Sequence, residues 1–131
     1  MKLFAFSLRP YDELPVLQRL ANERGFEFGW TPEYPTMENA GLAQGYDAVT
    51  IITNPMPAKL LARYAELGVR GLATRSIGFD HIDLDAARGL GIRIGHAFYP
   101  PAGVADYTVM LMLMALRKAK LVDVASSYQD F

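Results

Sequence analysis

The sequence predicts an α/β fold built on a doubly wound parallel sheet. Short β-rich runs alternate with longer segments of helical periodicity, as in successive β-α-β units. Asp47-Ala-Val-Thr-Ile-Ile-Thr53 is almost continuously apolar and β-branched, which suits a central strand covered on both faces. Glycine or proline punctuates nearly every helical segment. At 131 residues the chain has room for one domain with a sizeable core.

In chain order, Lys2-Leu-Phe-Ala-Phe6 reads as the first strand. Leu14, Leu17, Leu20 and Ala21 recur at helical spacing until Gly25 stops the helix. Glu27-Phe-Gly-Trp30 is a poor second strand, followed by a loop over 31–35 and a short helix ending at Gly45. After the central strand, Pro57 is placed as the first residue of a helix over 58–67 closed by Gly68. Val69–Thr74 makes strand four, Asp83–Leu90 a short helix and Ile92–Ala97 strand five. Five strands with these crossovers specify a flavodoxin-like sheet. From 102 to about 128 one helix without internal proline carries apolar side chains on nearly every face around Val109–Leu116. A helix apolar all round requires cover all round, which one small sheet does not supply, so a second domain or a second copy of the chain is expected against it.

Thirteen basic side chains against fourteen acidic ones leave a net charge of −1, without the cationic excess that nucleic acid or anionic lipid selects. Neither nucleic acid nor a membrane is an expected partner. The absence of cysteine excludes disulfides, thiolate zinc sites and a thiol nucleophile. The first residues lack the apolar length of a signal peptide, and Val109–Leu116 is about half of what a bilayer span needs, so a cytoplasmic location is expected.

Ligands of open α/β sheets collect beyond the carboxyl ends of the strands, which directs attention to two loops. Thr74-Arg-Ser-Ile-Gly-Phe-Asp-His-Ile-Asp83 offers a glycine, an arginine and free amides suited to a carboxylate. Phe98-Tyr-Pro-Pro-Ala-Gly-Val-Ala-Asp-Tyr107 opens the long helix with an anion-favouring end, and both loops are expected to face one cleft. Asp80, His81 and Asp83 are suggestive of a metal or acid/base site. The plainer reading makes Asp83 a helix cap and His81 a local hydrogen-bonding residue, with no metal site. His96 reads as packed within its strand, Asp106 and Tyr107 as ordinary first-turn residues, and Met110, Met112 and Met114 as core or interface filler. Gly89-Leu-Gly-Ile-Arg-Ile-Gly95 is spaced one residue too long for a dinucleotide fingerprint and precedes a strand, so it reads as a turn.

Taken together, Thr74–Asp83, Ala86-Ala-Arg-Gly-Leu-Gly-Ile92 and the run from Tyr99-Pro-Pro-Ala-Gly-Val-Ala-Asp-Tyr107 to Arg117 resemble the D-isomer-specific 2-hydroxyacid dehydrogenases, nearest to the D-lactate and VanH-like members. The likeness is specific from about Leu72 to Lys118 and architectural before that. It implies a flavodoxin-like substrate domain over 1–101, and a linking and dimerisation helix within 102–131 that leads to an NAD-binding Rossmann domain. It implies that the Ile77 and Gly78 amides hold the carboxylate of a 2-oxo acid such as pyruvate, that Tyr99 lines the substrate side and that Val104 lies near the nicotinamide of NAD. A homodimer through the helix over 102–128 is implied too. Pro100 departs from the pattern, where relatives often carry serine. The dinucleotide glycines, the substrate-gripping arginine, the acid and the catalytic histidine of such enzymes fall beyond residue 131. No catalytic residue is therefore assigned here, and the 131 residues alone are expected to be an inactive fragment or truncated product. The competing expectation is a non-enzymatic flavodoxin-like module that dimerises or docks a partner through its long helix. A flavin or phospho-acceptor protein fits poorly, because Ser7-Leu-Arg-Pro-Tyr-Asp12 lacks a phosphate cradle.

Overall fold

A computed structural model describes residues 1–120. Its order is β1 (Lys2–Ala5), α1 (Glu13–Arg24), β2 (Glu27–Trp30), a 3-10 turn (Ala40–Ala43), β3 (Ala48–Ile51), α2 (Ala58–Glu66), β4 (Gly71–Thr74), α3 (Leu84–Gly89), β5 (Arg93–His96) and α4 (Ala102–Leu116). The five strands are all parallel in the order β2-β1-β3-β4-β5. This is the flavodoxin-like order expected from the sequence.

β3 is the middle strand, with Leu3 of β1 beside Ala48 on one edge and Gly71 of β4 beside it on the other. Val49, Thr50 and Ile51 are all buried. Since successive side chains point to opposite faces, both faces of β3 are covered, as its unbroken apolar run requires. Around it pack Phe4, Phe6, Leu60, Leu61, Tyr64 and Leu72. α2 contributes Leu60, Leu61 and Tyr64 from one stripe of its surface.

Several boundaries depart from expectation. Pro57 is the N-cap of α2, extended at φ −70° and ψ 160°, one position earlier than the first helical turn. The segment before Gly45 forms only a 3-10 turn. There Asn39 Oδ1 accepts from Thr36 N at 2.8 Å and Asn39 Nδ2 donates to Tyr34 O at 2.8 Å, local bonds that compete with a regular helix. His96 is exposed on the edge strand β5, not packed as its apolar neighbours suggested, and it meets the Phe79 ring at 5.3 Å.

The chain forms two compact units, Met1–Phe98 and a second beginning at Tyr99. Within the second, α4 follows Pro101 and has no buried side chain. It stops at Leu116, with Lys118 in the left-handed region at φ 52°, so the single helix expected over 102–128 is interrupted there. The remainder of that stretch, 121–128, lies outside the described residues. No helix among the described residues is long and apolar enough to cross a membrane.

Candidate functional site

Parallel strands bring the chain repeatedly to the same edge of a sheet, and the loop from Thr74 to Asp83 leaves β4 at that carboxyl edge. Backbone bonds fix it at both ends. Arg75 N donates to Ile51 O at 2.8 Å, and Ser76 O accepts from Ala97 N at 3.0 Å. At the far end Met56 N donates to His81 O at 2.7 Å and Asp83 N to Met56 O at 3.1 Å, a one-residue parallel bridge.

Between these anchors the amides of Ile77 and Gly78, the residues expected to hold a carboxylate, donate to no other group among the described residues. Ile77 is half-buried and Gly78 exposed. Gly78 is not in the left-handed region, and a Cβ there would meet nothing nearer than Asp80 Oδ2 at 4.0 Å. No left-handed turn requires this glycine, and the space around its amide is open. Two adjacent free N–H groups on an exposed loop suit an anionic oxygen, which accepts shorter and stronger bonds than a neutral one.

The arginine of this loop has a different role from the one its sequence suggested. Arg75 turns inward, its Nε donating to Glu13 Oε1 at 3.1 Å and its Nη2 to the carbonyls of Phe6 at 3.1 Å and Ser7 at 3.0 Å. These bonds occupy the guanidinium and tie β4 to the exit of β1 and the first turn of α1. Asp83 accepts from Ala86 N at 2.9 Å and caps α3, and His81 Nε2 lies 3.1 Å from Thr74 Oγ1, so both have the plainer roles expected of them. Tyr99 and Val104 belong to the second unit, where both are exposed.

A cavity of about 490 Å³ opens beyond β1, β2 and β3, lined among others by Leu8, Arg9, Tyr34, Ile52 and Thr53. It lies at the switch point between β1 and β3, where the chain reverses its direction of winding. The expected strand order implies a crevice at this point, although the turn Ser7–Asp12, which forms part of its wall, shows in sequence only that it lacks a phosphate cradle. Ser7, on its wall, is a non-glycine residue at φ 54°, a conformation that costs about 1–2 kcal/mol. Three bonds hold it there: Ser7 N to Glu33 O at 2.9 Å, Ser7 Oγ to Asn54 Oδ1 at 2.9 Å, and the Arg75 bond to its carbonyl. Thr74 Oγ1 is 3.3 Å from Ile52 O, so cavity wall and loop share a rim.

Comparison with known proteins agrees with this fold. The family model for the D-isomer specific 2-hydroxyacid dehydrogenase catalytic domain matches residues 5–128. A D-lactate dehydrogenase of Leuconostoc mesenteroides is 33% identical over 99% of this chain and 40% of its own length. A D-specific alpha-keto acid dehydrogenase of Enterococcus faecalis is 43% identical over 72% of this chain and 29% of its own. The apo-structure of D-lactate dehydrogenase from Escherichia coli superposes with a TM-score of 0.82 at 32% identity, over 92% of this chain and 38% of that one. The chain thus spans about two fifths or less of these relatives. Fold, matched residues and relatives agree that it belongs to the D-isomer-specific 2-hydroxyacid dehydrogenase family.

Proposed function

We propose that this chain is the substrate-binding part of an NAD-dependent D-2-hydroxyacid dehydrogenase of the D-lactate type, whose whole protein reduces a 2-oxo acid such as pyruvate. The observation that carries the reading is the pair of amides at Ile77 and Gly78, without a partner among the described residues, on an anchored loop at the carboxyl edge of the sheet. They would receive the carboxylate, and the cavity whose wall meets the start of the same loop through Thr74 and Ile52 would receive the rest of the acid. Tyr99 is assigned to the substrate side of the cleft between domains.

The described residues do not by themselves fit a dinucleotide. Gly91 sits at φ 70° in a turn that leads into β5, and no helix N-terminus follows it to meet a pyrophosphate. NAD is thus assigned to the whole protein, with Val104 as the one residue of this chain set beside the nicotinamide. A homodimer through the helix over 102–128 accompanies the reading, supported by an α4 that is apolar all round and has no buried side chain.

The test is calorimetric titration of the 131-residue chain with oxamate, a non-reducible isostere of pyruvate, against the neutral amide of pyruvate as control. Binding of oxamate alone is expected, together with no NADH oxidation when pyruvate is supplied. Equal response to both ligands would remove the carboxylate assignment, and NADH oxidation by a preparation of verified mass would show that these residues suffice for catalysis.

A further inference from the structure

Thr74 is buried at 2% exposure, so its hydroxyl needs partners, and it has three within reach. Counting protons sets the direction of each bond. Ser76 Oγ lies 2.8 Å from Gly78 O, which can only accept, so the one Ser76 proton points there. The 2.7 Å contact between Thr74 Oγ1 and Ser76 Oγ then takes the Thr74 proton. With that proton committed, Thr74 Oγ1 accepts from His81 Nε2 at 3.1 Å, and Nε2 must bear a hydrogen. The Ile52 carbonyl, at 3.3 Å, is the longer and weaker competitor for the Thr74 proton.

We infer that His81 is a positioning residue of the anion loop: its Nε2–H heads a one-way chain through the hydroxyls of Thr74 and Ser76 to the Gly78 carbonyl, and this chain sets how the Gly78 amide, beside that of Ile77, faces a carboxylate. His81 is a suitable head because its own backbone is anchored independently, through the 2.7 Å bond from Met56 N. The effect on the Gly78 amide follows from peptide planarity. The Ser76–Ile77 plane is fixed by the bond from Ala97 N to Ser76 O, which turns the Ile77 N–H the opposite way. The Gly78–Phe79 plane is fixed by Ser76 Oγ. The Ile77–Gly78 plane, which carries the second amide, is bracketed between the two. His81 touches no substrate in this scheme.

The inference rests on the carboxylate reading of Ile77 and Gly78, but two of its readouts need no ligand. Nitrogen-15 NMR of the side chain at a pH where imidazole is neutral is expected to show the Nε2–H tautomer at His81, and the Nδ1–H tautomer would overturn the chain as drawn. His81→Leu and Thr74→Val, which break it at successive links, are expected to move the Gly78 amide resonance of the ligand-free chain. They should also weaken oxamate binding about five- to tenfold, the equivalent of one hydrogen bond. His81→Gln, which presents an N–H at similar reach, should return the amide resonance to its parent position and oxamate affinity to within about twofold of the parent. An unmoved Gly78 amide and unchanged affinity in both disruptive variants would refute the positioning role. Failure of the parent chain to bind oxamate, with tautomer and amide shifts as expected, would instead remove the carboxylate reading and leave the chain of bonds established.

Discussion

Arg75 and Glu13 stand 62 positions apart and meet through Nε and Oε1 at 3.1 Å, each side chain only 17% exposed. Because Arg75 also holds the Phe6 and Ser7 carbonyls, one guanidinium joins the exits of β1 and β4 to the first turn of α1. Its removal leaves two carbonyls and a sheltered carboxylate short of donors, although Arg9, with Nη2 at 3.8 Å, still faces Glu13. Arg75→Met is therefore expected to cost about 3 kcal/mol in urea unfolding. Glu13→Gln should cost less, and the double variant should show a coupling of about 1–2 kcal/mol between the two sites.

Tyr64 is fully buried at the centre of the core, and its hydroxyl has no hydrogen-bond partner among the described residues. Tyr64→Phe keeps the ring against Phe6, 6.0 Å away, and is expected to stabilise the fold by about 1 kcal/mol.

The same burial gives a pH signature, since it pushes the Tyr64 hydroxyl above the ordinary tyrosine value. The unfolded chain ionises first, so the stability tied to the neutral hydroxyl is whole below about pH 10 and is lost as pH climbs from there toward the raised folded value. The difference in stability between the parent and Tyr64→Phe should widen by about 1.4 kcal/mol per pH unit in that range. A constant difference from neutral to alkaline pH would refute the burial argument.

Asp83 caps α3 through its 2.9 Å bond from Ala86 N, next to the bridge that anchors His81. Asp83→Ala is expected to cost about 1 kcal/mol, and Asp83→Asn a few tenths. Thermal unfolding of the pair checks this, and equal losses would show that charge and not capping geometry matters.

Asp80 places an exposed carboxylate beside Gly78, 4.0 Å from where a Cβ would stand. If the Gly78 amide receives a carboxylate as proposed, a negative charge there opposes it. Asp80→Asn should tighten oxamate binding roughly threefold at low ionic strength, with the gain shrinking as salt is added.

The legible parts of this fold were those encoded by neighbours in sequence. The run from Asp47 to Thr53 announced a doubly covered strand because a central parallel strand needs apolar residues at every position. Asp83 announced a cap by standing just before a helix. The Thr74–Asp83 loop was also readable, through its position after a strand and its family pattern. What escaped depends on partners that sequence does not place side by side. Arg75 looked like a carboxylate ligand because Glu13 and the Phe6 carbonyl reach it only once β1, β3 and β4 are aligned. His96 looked packed because nothing local reveals that β5 is an edge strand. The cavity beyond β1 and β3 follows from strand order, and its wall is assembled from three separate loops.

The proposed assignment of the Ile77 and Gly78 amides to the carboxylate of a 2-oxo acid is open to direct observation. An amide-resolved NMR titration of the 131-residue chain with oxamate tests it most directly. Saturable downfield shifts are expected, largest at Ile77 and Gly78, with smaller changes at residues lining the neighbouring cavity. Shifts confined elsewhere, with those two amides unmoved at saturation, would contradict it.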